Sequence, residues 1–261
     1  MNNRPENPTN QKQAVAPPAG TMEMWIRIPR RKQGMSIFIL SLTIVVYAVQ
    51  LLTQYFYQID IPLNLFALNS QLIYQGQFWR LITVVLVHVS ILHIGLNMLA
   101  FFILGRSLER FYGPWRLLII YLLGAIGGSL FHFYFSDQLA GGAATGVFAV
   151  AAAQLVLFLR NRFLWGQENR RFLLNFMGIL GLNLVLNLFP GLGGLSMVGG
   201  FLAGLAFAWF AGPRFNLAMS EEDPKVFDLV DRVDYQIIIQ VTVFSLLVMG
   251  ALVALRYFSA I

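Results

Sequence analysis

The stretch HVSILHIGLNM holds two of the chain's three histidines, His88 and His93, together with Asn97. On a helix advancing about 100° per residue, His93 and Asn97 lie about 40° apart and one turn from each other, whereas His88 lies about 140° from His93. Two hydrogen-bonding side chains on one face can donate to a developing oxyanion or to a peptide carbonyl. They can equally bond a neighbouring helix, and spacing alone leaves both readings open. No metal site is expected, since no carboxylate or thiolate lies close by to complete a ligand set. The chain has no cysteine, which excludes disulfides, thiolate zinc sites, iron–sulfur clusters and cysteine nucleophiles. No cofactor is implied.

The elements that must position these residues are set by composition. Of 261 residues 57% are hydrophobic and only 11% charged, against about 25% charged in a soluble domain. So little charge excludes a soluble enzyme. Seven segments are long and apolar enough for a span of about 20 residues: 37–56, 82–104, 116–135, 143–159, 172–189, 195–212 and 236–257. They lack the alternation of membrane β-strands, so the expected fold class is all-α, a polytopic membrane helical bundle.

With the N-terminus placed inside, alternating spans leave only Arg80 and Arg256 outside among the 18 basic residues. The positive-inside rule therefore supports a cytoplasmic N-terminus, an outside C-terminus and an integral protein of the cell membrane. The basic excess reads as topology, and no nucleic-acid partner is expected. Residues 1–34 read as a disordered cytoplasmic tail, 35–213 as a six-helix membrane domain, 214–235 as a solvated acidic linker with Pro224 as a helix start, and 236–261 as a seventh helix and C-terminus. Residues 57–80 mix apolar and polar side chains as suits the lipid–water interface.

No span carries Asp, Glu or Lys, and Arg116 and Arg256 fall at span ends, where they are expected to snorkel to the interface. A transporter, which places ionisable groups along its route, is the weaker alternative, and no inverted repeat is visible. The fourth and sixth spans are rich in small residues, from Gly141 to Ala153 and from Gly193 to Gly204, which allow close backbone approach in lipid. Asn183 and Asn187 precede Pro190 in the fifth span, one turn apart, as interhelical bonds or as contacts to a bound segment.

The order of these features resembles the rhomboid family of intramembrane serine proteases, over about residues 37–212. The matching blocks are Trp79-Arg80 before the second span, His88 and His93-x-x-x-Asn97, then Gly105, Glu109-Arg110 and Gly113 after that span, and Gly199-Gly200 and Gly204 on the sixth. The resemblance implies a six-plus-one helix arrangement, a partly submerged hairpin between the first two spans, and His93 and Asn97 as oxyanion-stabilising positions. It implies a structural role for Glu109 in pinning its loop, where a surface ion pair with Arg110 is the plainer alternative.

The resemblance also implies a serine nucleophile in Gly-x-Ser-Gly on the fourth span and a histidine base on the sixth. Here the first block reads Ala143-Ala144-Thr145-Gly146 and the second Ser196-Met197-Val198-Gly199-Gly200. A threonine can act as a nucleophile when a base activates it. A methionine thioether takes no proton at any relevant pH, and general-base help is typically worth about 10²- to 10⁴-fold. His132, at the end of the third span, has no sequence reason to reach Thr145. The expectation is a catalytically silent rhomboid that binds transmembrane segments of client proteins in the bilayer without cutting them. The alternative is an active endopeptidase using Thr145. Oligomeric state and client identity are not legible.

Overall fold

A computed structural model describes residues 25–27, 34–136, 138–165, 171, 178, 180, 181, 194–223 and 225–259. Almost all of the expected fifth span, with Asn183, Asn187 and Pro190, lies outside the described residues, as do Pro224 and most of the N-terminal tail.

Helix α1 (Met35–Tyr57) is built inside out for water and correctly for lipid. Its buried residues are Ser36, Ile39, Thr43 and Gln50, while Ile37, Phe38, Leu42, Val45, Leu51 and Leu52 face outward. Gln58 closes it in the left-handed conformation. Three short helices follow: α2 (Ile61–Phe66), capped by the Asp60 carboxylate; α3 (Ser70–Tyr74), capped by the Asn69 side chain; and α4 (Arg80–Thr83), which runs into a 3₁₀ turn over Val84–Leu86.

Helix α5 (Ile91–Tyr112) begins nine residues later than the span expected from Ile82. The cause is Ser90, whose hydroxyl accepts the His93 N–H and caps the helix. Glu109 and Arg110 therefore lie within the last turns of α5 and not in a loop after it, and Gly113, at φ 83°, makes the break. Helix α6 (Pro114–Phe135) restarts at once, with proline at its first position. Helix α7 (Ala144–Arg160) has 17 residues, is buried over most of its surface and is short of a full span. Gly141, Gly142 and Ala143, expected on this helix, form its entry segment. Helix α8 (Gly194–Ala211) and helix α9 (Tyr235–Phe258) match the sixth and seventh expected spans.

The described residues include five helices long and apolar enough to cross a membrane, and the protein is a mostly helical integral membrane bundle. Its centre is α6, α7 and α8. Gly124, Gly127, Gly128, Gly199, Gly200 and Gly204 line the contacts, each with a neighbouring backbone or side chain where a Cβ would stand. Backbone approach of this kind substitutes for a hydrophobic driving force that lipid does not supply.

The segment expected to be a solvated linker is ordered. Strands β2 (Phe215–Met219) and β3 (Val226–Asp231) form an antiparallel pair, and β1 (Trp25–Arg27), within the expected tail, adds in parallel to β3. The sheet order is β1-β3-β2. Where a helix was expected to start, Val226 opens a strand. Arg116, expected to snorkel, is buried and ion-paired with Asp231, and it also donates to the Val233 carbonyl.

Candidate functional site

The site is assembled by segments far apart in sequence. Arg80 is 3% exposed and donates to the Ala67 carbonyl (2.6 Å), the Asn64 carbonyl (2.7 Å) and the Gln77 side chain (2.7 Å), while Trp79 Nε1 donates to Leu65 O. The Trp79-Arg80 pair thus sews the α2–α3 hairpin to the strip that leads into α5. Leu68 on that hairpin exchanges both backbone bonds with Ala140, which precedes α7. The next link is Gly142 N–H donating to Val84 O.

His88 sits in the extended strip before the Ser90 cap, so the helical angle of about 140° from His93 does not apply to it. The two imidazoles instead meet edge to face with centroids 5.3 Å apart. His88 Nε2 accepts the Ala143 N–H (3.2 Å), which makes Nε2 the unprotonated nitrogen and assigns the proton to Nδ1. His88 is therefore a support for the entry to α7. Its own backbone is held by Gln50, a residue that sequence reasoning missed: the Gln50 amide accepts from His88 N (3.0 Å) and donates to His88 O (3.1 Å) and Asp60 (2.7 Å). Its signal was present as an amide within the apolar α1, which holds Gln50 and the exposed Gln54, and such groups are expensive in lipid unless paired.

His93 and Asn97 stand one turn apart on the face of α5 that lines a cavity of about 730 Å³. Neither Asn97 Nδ2 nor Thr145 Oγ1 has a hydrogen-bond partner among the described residues. Gly142, at φ 143°, lies so close to His93 that a Cβ there would stand 2.5 Å from His93 Cε1. The left-handed φ and this contact together require glycine. The cavity wall continues through Gly128, Ser129, Thr145, Ser196 and Met197.

Thr145 is the second residue of α7, two after Ala143 and one before Gly146, against which the Tyr121 ring packs. Its β-carbon and methyl fill the notch left by Gly128, and its backbone carbonyl lies under Gly200. The β-branched side chain is thereby held stiffly, its hydroxyl buried and with no hydrogen-bond partner among the described residues. Met197 is buried in an apolar cluster with Ala144, Phe148 and Phe201, as a flexible thioether fills such a gap. The structure thus brings His93, Asn97, Ala144, Thr145 and Met197 to one cavity. His132, which sequence gave no reason to place there, lines it as well, with Nε2 2.7 Å from the Gln138 carbonyl. Among the described residues no group of three His, Asp or Glu side chains is placed to hold a metal.

Glu109 is fully buried and makes no ion pair with Arg110. Its carboxylate accepts from the backbone N–H groups of Gly34 (2.9 Å), Met35 (2.8 Å) and Ser36 (3.0 Å) and from the Ser36 hydroxyl (2.6 Å). An anion at the positive end of α1 is favourable, so Glu109 fixes α1 to α5 beneath the cavity.

Residues 75–214, more than half the chain, match the profile of the Rhomboid domain. The chain is 33% identical over 156 residues to Rhomboid protease GluP of Bacillus subtilis, covering 58% of this chain and 29% of that protein. It is 29% identical over 188 residues to RHOMBOID-like protein 2 of Arabidopsis thaliana, covering 71% and 59%. Against Rhomboid protease AarA of Providencia stuartii it is 28% identical over 198 residues, covering 63% and 69%. The chain therefore spans less than two thirds of the length of GluP and of RHOMBOID-like protein 2.

Proposed function

The chain belongs to the rhomboid family, and from that premise we propose that it is a silent member, one that binds transmembrane segments of client membrane proteins and leaves them intact. The observation that carries this reading is the environment of Thr145. Its hydroxyl has no hydrogen-bond partner among the described residues, and the residue at the family's base position, Met197, is a buried thioether. The binding half of the site supports the same reading. His93 and Asn97 line a cavity large enough for a stretch of peptide, and the unpartnered Asn97 amide can donate to a carbonyl there.

In this proposal the six-plus-one arrangement, the cytoplasmic N-terminus and residence in the cell membrane are retained, supported by the distribution of Lys and Arg. The clients are membrane proteins whose spanning segments enter from the bilayer. A second reading, an active endopeptidase using Thr145, is favoured by one observation, the presence of His132 on the same cavity wall.

Photo-crosslinking tests client binding. A crosslinker at Leu96 or Leu195, both exposed on the cavity, should capture intact membrane-spanning proteins well above one placed at lipid-facing Leu247 on α9. Equal capture at all three positions would remove the client-binding proposal.

A further inference from the structure

We propose that the end of α5 away from the cavity carries a seat for the phosphate of an anionic phospholipid, formed by Arg106, Ser107 and Arg110; this goes beyond the client-binding reading and does not rest on it. Arg106 and Arg110 are one turn apart and about 40° from each other around the helix. With Ser107 and Phe111 they line a pocket of about 260 Å³. Neither arginine has a carboxylate partner among the described residues, although an acid is adjacent in sequence. Glu109 is the sole acid of α5, and all its accepting capacity is taken up by the N-terminus of α1. Two exposed guanidinium groups thus remain uncompensated over the negative end of the α5 dipole, in a chain with little other charge.

Position on the helix identifies the ligand. Leu99, Phe102 and Ile103 are exposed, lie on the same side of α5 as Arg106, and lead directly up to the pair. Arg106 also stacks on the Phe102 ring, 5.2 Å from its centroid. An apolar stripe ending in two cations and a hydroxyl complements a molecule with an acyl chain and a phosphate at its head. A guanidinium binds a phosphate through paired N–H donors, which a lysine cannot reproduce. A free anion would need the cations but not the stripe.

The test uses the full-length protein released from vesicles of equal phosphatidylcholine and phosphatidylglycerol, with retained lipid identified by native mass spectrometry. Each basic residue near a membrane surface contributes enough to make an enrichment of about tenfold to thirtyfold expected for two. Wild type should retain phosphatidylglycerol by that factor. Arg106→Gln/Arg110→Gln should lose it, and Arg106→Lys/Arg110→Lys, which keeps charge and guards against a folding artefact, should retain only part. Leu99→Ser/Ile103→Ser should weaken retention of the lipid, while inorganic phosphate at millimolar concentration should not displace it. The proposal is overturned if the double glutamine variant retains phosphatidylglycerol like wild type, if Arg214→Gln/Arg232→Gln lowers it as much, or if inorganic phosphate displaces it.

Discussion

Both carboxylate oxygens of Glu109 are occupied by the first turn of α1, so its removal strips charge-assisted bonds from three backbone donors at once. Bonds to a charged group are worth about 1.5–3 kcal/mol each, less what water recovers. Glu109→Ala should therefore lower stability by about 2–4 kcal/mol in detergent, read by denaturant unfolding, and Ser36→Ala by about 1 kcal/mol. A loss near 0.5 kcal/mol would be the size of an exposed ion pair and would contradict the assignment. The sequence shows Glu109 and Arg110 side by side, so that an ion pair stands as the plainer alternative to the pinning role the resemblance implies for Glu109. Their opposite fates depend on a partner some 73 residues away, which no local pattern reveals. Thr145 and Met197 were legible for the contrary reason: each is a departure inside an otherwise matching block, and the fold brings both to one cavity.

At the scale of elements, the first third of the chain serves as the frame of the site. Gln50 on α1 holds the strip at His88, His88 holds Ala143 at the entry of α7, and Arg80 binds the hairpin that pairs with Ala140. Gln50→Leu should remove two bonds to His88 and one to Asp60, at a cost of about 1–3 kcal/mol. It should also lower crosslinking from Leu96 severalfold while leaving capture at Leu247 unchanged; no change at either position would separate the frame from the site. Apolar length located α1, α6, α8 and α9 to within two residues at each end. It misplaced α5, because hydropathy runs unbroken from Ile82 and does not register the Ser90 cap that starts the helix. The angular argument about His88 failed with that boundary, whereas the one about His93 and Asn97 held because both fall after it.

In the whole molecule, the buried ion pair Arg116–Asp231, with side chains 7% and 12% exposed, is among the links between the membrane bundle and the three-stranded sheet, beside the bond from Phe215 N to Asn161 and the Phe111–Phe215 ring contact. Breaking such a pair from one side leaves a desolvated charge and costs about 3–5 kcal/mol, whereas replacing both partners with apolar residues is often near neutral. Asp231→Asn should be strongly destabilising and Arg116→Met/Asp231→Leu close to wild type, as thermal unfolding would show; equal losses in both would mean that the sheet depends on the charges themselves. The sheet was not legible because six acidic residues between Ser220 and Asp234 read as solvated chain, and its third strand comes from the other end of the sequence. The same scale decides the central proposal, that this member of the rhomboid family lacks catalysis for want of two side chains. The direct measurement is cleavage of a single-span substrate in liposomes by wild type, Thr145→Ala and Thr145→Ser/Met197→His. Silence from wild type and Thr145→Ala with cutting by the double variant is the predicted result. Cutting by wild type that Thr145→Ala abolishes would contradict it and point to His132 as the base.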